Sequence, residues 1–122
     1  MTKSKELLLK DLCARLPYGV ICRYKNENRP LFCVRPTQYY KIALDNAINV
    51  KHNGVENCVI EEVKPYLFPL SSMSEEQKEE WRGIRWSKLP WDELDWLNKG
   101  HWDYRHLIEK GLAIDATGKG IY

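Results

Sequence analysis

Asn53-Gly54 stands between two runs of alternating polarity, AINVKH (47–52) and VENCVI (55–60). A two-residue type I′ turn needs positive φ at both central positions, and Asn-Gly tolerates this best. The stretch therefore predicts a β-hairpin, with Ile48, Val50 and Val59 on one face. Upstream the same grammar recurs. VICRY (20–24) and LFCVR (31–35) flank the polar turn KNENR, and YYKIAL (39–44) precedes Asp45 and Asn46. Short segments between tight turns predict five antiparallel strands over 19–63, as a sheet or a small SH3-like or OB-like barrel. If KNENRP closes the first hairpin, Cys22 and Cys33 lie opposite each other across it, as two thiols in a reducing compartment.

Helical patterns bracket the strands. Leu8, Leu12 and Leu16 recur at i, i+4, i+8 over 3–16, with Leu9 and Cys13 widening the stripe and Ser4 as N-cap. Pro17 and Gly19 stop that helix. KPYLFPLSS (64–72) carries two prolines around an apolar triplet and reads as a connector that packs Tyr66, Leu67 and Phe68 onto the sheet. Ser74 with Gln77 fits a capping box, and Glu75 and Glu76 suit the positive end of the helix that follows. Pro90 opens a helix to about Asn98, with Trp91, Leu94 and Leu97 on one side. Asp103 is placed to cap a very short further helix, Trp102 to staple onto Leu107, and Gly111 to close it. The tail DATGKGIY reads as frayed or as an edge strand. The expected organisation is one α+β domain: helix over 1–18, β-structure over 19–63, connector over 64–73, and two or three short helices packed on the sheet over 74–122.

No apolar run approaches the roughly 20 residues that span a bilayer, and charges interrupt the apolar pattern of MTKSKELLLKDLCARL, so a cytoplasmic protein without a membrane partner is expected. The four cysteines form no C-x-x-C pair, and no two of the three histidines stand at i, i+4. Neither a metal nor a cofactor is therefore expected. Glu61 and Glu62 are adjacent at a strand end and point to opposite faces. His101 and His106 flank Asp103, which could orient a base, but no nucleophile has a recognisable setting. The chain reads as a non-enzyme.

Two binding surfaces compete. Trp81, Trp86, Trp91, Trp96 and Trp102 crowd into 22 residues, more indole than a small core absorbs. Trp96 falls off the Trp91, Leu94 and Leu97 side, next to Asp95, and Trp86 sits by Arg85 and Lys88. Trp81, Arg85, Trp86 and Trp96 form the expected interface for another protein or a second copy of the chain. The alternative is a nucleic-acid face. Residues 1–60 hold ten Lys and Arg against five Asp and Glu, whereas 61–122 hold nine against twelve. Arg23, Lys25, Arg29, Arg35 and Lys41 interleave there with Tyr39 and Tyr40, a pattern suited to phosphates and stacked bases.

At LCARLPYGV (12–20), EEVKPYLFPLSSMSEE (61–76) and HWDYRHLIEKGLAI (101–114), the sequence resembles a group of small uncharacterised proteins encoded by phages and integrated mobile elements of gut anaerobic bacteria. That family has no established activity, cofactor or catalytic residue to transfer. The resemblance implies a setting, an intracellular accessory protein of a mobile element. It barely touches strands 21–60.

Overall fold

A computed structural model describes residues 3–34, 48–51, 55–58, 63–86 and 90–122, and the expected YYKIAL strand lies outside them. Helix α1, Lys3–Arg15, already contains Ser4, so that residue is not its N-cap. Leu8 and Leu12 are buried as the stripe requires, while Leu16 turns into a 3₁₀ segment, Leu16–Tyr18. Gly19, at φ 71°, closes that segment, a conformation with no steric cost for glycine. The stripe brings two charged residues inside with it. Asp11 and Arg15 are fully buried.

Strands β1 (Ile21–Tyr24) and β2 (Glu27–Val34) form the first hairpin. Its loop is two residues, Lys25 and Asn26, at φ 51° and 62°. This is a tighter turn than KNENR, because Asn26 supplies the left-handed conformation a type I′ loop demands. The shift resets the register. Cys22 pairs with Arg29, and Cys33 pairs with Asn49 of the next strand, so the two cysteines do not face each other. Strands β3 (Ile48–Lys51) and β4 (Val55–Cys58) pair antiparallel, from Lys51↔Val55 to Ile48↔Cys58, while the Asn53-Gly54 turn between them lies outside the described residues.

The stretch read as a connector contributes strand β5, Lys64–Leu67, antiparallel to β1. Pro65 is tolerated because β6 (Ile114–Asp115) joins β5 only from Tyr66 onward, so the missing N–H forfeits no ladder bond on that side. The β5–β6 pair is parallel. Among the described residues the order is β4-β3-β2-β1-β5-β6, a mixed open sheet rather than a five-stranded antiparallel one, and no closed barrel forms.

Period-two alternation assigns the faces. Cys22 and Tyr24 of β1 point to α1 and join Leu8, Leu12, Val20, Leu31, Val63, Leu67, Leu107 and Ala113 in the main core. Ile21 and Arg23 point the other way. Helices α2 (Glu75–Trp86) and α3 (Pro90–Lys99) pack around a second cluster of Met73, Leu97 and Trp102, with Phe68, Leu70, Trp81, Trp96 and Tyr104 against it. The capping box is present: Gln77 N–H donates to Ser74 Oγ (3.1 Å) and Ser74 N–H to Gln77 Oε1 (2.8 Å). Leu94, expected inside with Leu97, is 46 % exposed instead.

The short helix expected after Asp103 is a single turn. His106 adopts φ 58°, which no helix accommodates, so winding starts one residue later. The Asp103 carboxylate accepts Leu107 N–H (2.8 Å) and Ile108 N–H (3.0 Å). At the far end Leu112 N–H donates to Leu107 O and Gly111 N–H to Ile108 O, a Schellman closure with Gly111 at φ 72°. Trp102 and Leu107 belong to different clusters, so the expected staple between them is not made.

Candidate functional site

His101, Asp103 and His106 do not form one site. Both Asp103 oxygens are spent on the backbone N–H groups of Leu107 and Ile108. His106 is exposed, its Nδ1 3.9 Å from Glu109. His101 lies flat against the Tyr122 ring, with centroids 3.6 Å apart and planes 10° from parallel. Desolvation and the nearby Arg15 charge push its pKa down to about 4. Its buried Nδ1 meets no partner among the described residues. Nor do any three His, Cys, Asp or Glu side chains among them gather as a metal ion would require. Cys22 is buried but Cys13 is exposed, so Cys13 does not widen the buried stripe of α1 as expected.

A buried polar network at α1 is structural. Arg15 Nε donates to Asp11 Oδ2 (2.7 Å), Arg15 Nη2 donates to the Trp102 carbonyl (2.7 Å), and Arg105 Nη1 donates to Asp11 Oδ1 (2.8 Å). Both guanidinium groups also lie over the Tyr104 ring. The network ties α1 to the segment after α3, which periodicity along one helix cannot reveal.

The tryptophans divide. Trp81 Nε1–H donates to Glu93 (3.1 Å), and the Arg85 guanidinium sits 5.2 Å from the Trp81 ring centroid. Trp96 Nε1–H donates to Glu80 (3.1 Å), and its ring stacks on Trp102 at 6.2 Å. Trp81 and Trp96 therefore brace α2 against α3, while Arg85, set over the Trp81 ring, keeps 58 % of its side chain exposed; Trp96 is packed although the helical pattern places it off the apolar side. Trp86 stands apart at 81 % exposed. Between α2, α3 and the tail lies a cleft of about 470 Å³ with Phe68, Trp96 and Trp102 on its walls and Glu80 and Lys99 at its rim.

The proposed basic face also divides, by parity. Arg35, Tyr39, Tyr40 and Lys41 lie outside the described residues. Arg29, across from Cys22, falls on the α1 side, where it is 6 % exposed, bonded to Glu27 and set over the Tyr24 ring. Arg23 falls on the open side. It lines a second cleft of about 510 Å³ together with Lys25, Asn26, Lys64 and Ile114. Lys64 was missed because its stretch reads as a connector; once β5 pairs with β1, it stands directly opposite Arg23.

No helix among the described residues is long and apolar enough to cross a membrane. Comparison with protein-family models, with curated proteins and with solved structures finds no match.

Proposed function

We propose that this chain is a non-catalytic binding protein that docks a protein partner, or a second copy of itself, through Trp86. One observation carries the reading: Trp86 leaves four-fifths of its surface in water, whereas Trp81, Trp96 and Trp102 are packed or hydrogen-bonded. An exposed indole is a large rigid apolar surface that loses little side-chain entropy on binding, the character of an interface anchor. Arg85 beside it is held by the Trp81 ring, so the end of α2 presents a fixed platform. The resemblance at 12–20, 61–76 and 101–114 supports the setting, a cytoplasmic accessory protein of a phage or integrated mobile element. A second reading, nucleic-acid binding on the strand face, is favoured by the three cations that share the cleft beside β1 and β5.

The test compares the intact chain with Trp86→Ala by circular dichroism, by light scattering over a range of concentrations, and by capture of partners from host cells expressing the element. A folded variant that loses self-association, or loses a partner the parent retains, supports Trp86 as the anchor. A folded variant with the same mass and the same partners removes it.

A further inference from the structure

We infer that the open face of the β1–β5 seam is a phosphate-binding site in which Arg23 and Lys64 form a two-sided clamp. The inference rests on the second reading and gives it a location. Arg23 and Lys64 are directly opposed across an antiparallel pair, so their Cβ atoms stand about 5 Å apart and their side chains leave the same face. Like charges directly opposed across two strands oppose folding. Here no carboxylate is found among the described residues that line the cleft, and Arg23 turns to a neutral acceptor, Asn26 Oδ1 (3.2 Å). Lys25 adds a third cation at the hairpin tip, its Nζ 5.1 Å from the Tyr24 ring centroid.

The arrangement matches an oxyanion. A guanidinium offers paired N–H donors, an ammonium a compact charge, and a phosphate between them would relieve the repulsion that the sheet imposes. The face is accessible because α1 packs on the other side of the sheet, against Cys22 and Tyr24. It is also held in place. The Tyr66 hydroxyl donates to Asn28 Oδ1 (2.6 Å) across β1, which limits how far the two strands can shift. Ile114 borders the cleft with apolar surface, and no aromatic residue is found among its described lining residues. The contacts the clamp offers are to phosphate oxygens, which carry no sequence information, so binding through it should be insensitive to base sequence.

The experiment measures anisotropy of a fluorescent oligothymidylate with the full chain at low and moderate salt, with sodium phosphate and unlabelled oligonucleotide as competitors. With three cations engaged, raising NaCl from about 50 to about 200 mM should weaken binding about twentyfold. Arg23→Ala with Lys64→Ala should reduce the salt slope by about 0.7 for each cation removed. Lys64→Glu should raise the unfolding midpoint, by giving Arg23 an opposite charge, while binding falls; a fold defect could not do both. Displacement by sodium phosphate assigns the clamp to single phosphate groups, and displacement by oligonucleotide alone assigns it to a strand. If the oligonucleotide binds but the paired variant binds equally well, the clamp is wrong and the nucleic-acid reading survives. If nothing binds at low salt, both fall. Trp86→Ala should leave this binding unchanged, which separates it from the protein-docking surface.

Discussion

Asp11 and Arg15, one turn apart on α1, form an ion pair at 2.7 Å with neither side chain exposed to solvent. Two buried charges are tolerated because each has further partners: Arg105 on the second Asp11 oxygen, and the Trp102 carbonyl on Arg15. Removing one member strands the other in a medium that cannot solvate it. Asp11→Ala is expected to destabilise the fold by about 3–5 kcal/mol in urea unfolding. Replacing both with apolar residues of similar volume should cost much less, because no unpaired charge is left at the centre. A loss of under 1 kcal/mol for Asp11→Ala would show that water reaches Arg15.

Tyr122 closes the β1–β5 seam where its ladder ends. The described pairing stops at Cys22↔Pro65, and the Tyr122 hydroxyl takes the next position, accepting Ile21 N–H (2.9 Å) and donating to Tyr66 O (2.8 Å). Tyr122→Phe keeps the ring against His101 but leaves those two backbone groups without it. The expected cost is about 1–3 kcal/mol, with faster amide exchange at Ile21 as the local signature. Unchanged exchange there would mean that the seam does not depend on the phenol.

His101 sets an acid limit. Its pKa in the fold is depressed to about 4 against an ordinary 6.5, so between these values the unfolded chain takes up a proton that the native state resists. Stability from the neutral ring is therefore complete above about pH 6.5 and declines as pH falls toward 4. A fully buried ring would contribute about 3 kcal/mol; solvent contact reduces this to roughly 1–2 kcal/mol. His101→Asn, which accepts the local φ of 61°, should flatten stability over that pH range relative to the parent. Parallel pH curves for the two proteins would reject the role.

Asp103 replaces the first backbone partners of the turn at 107–110. Asp103→Ala leaves the N–H groups of Leu107 and Ile108 without their acceptor and should cost about 2 kcal/mol or more. Asp103→Asn keeps one acceptor oxygen and should recover about half. Equal thermal midpoints for the two variants would show that packing of Leu107 alone holds the turn.

Features that depend on neighbours in the chain were legible before any coordinates. The capping box at Ser74 and Gln77, the closure at Gly111, the helix from Pro90 and the Leu8–Leu12 stripe each follow from interactions within a few residues. Errors arose where one residue's placement changed everything beyond it. Closing the first hairpin with the six residues KNENRP rather than with two put Cys22 opposite Cys33, and it hid that Arg23 and Arg29 fall on opposite faces. Two prolines made β5 look like a linker, which hid Lys64.

Local chemistry in this chain settles the capping box at Ser74, the closure at Gly111 and the helix that opens at Pro90, because those energies are exhausted over distances of four or five residues. Which strand lies beside β1, which charges sink into the core and which indole stays in water depend on pairings between distant segments. Arg15 meets Trp102 across 87 positions and Tyr122 meets Ile21 across 101. Such contacts form between surfaces that exist only after the chain has collapsed, so no local pattern encodes them.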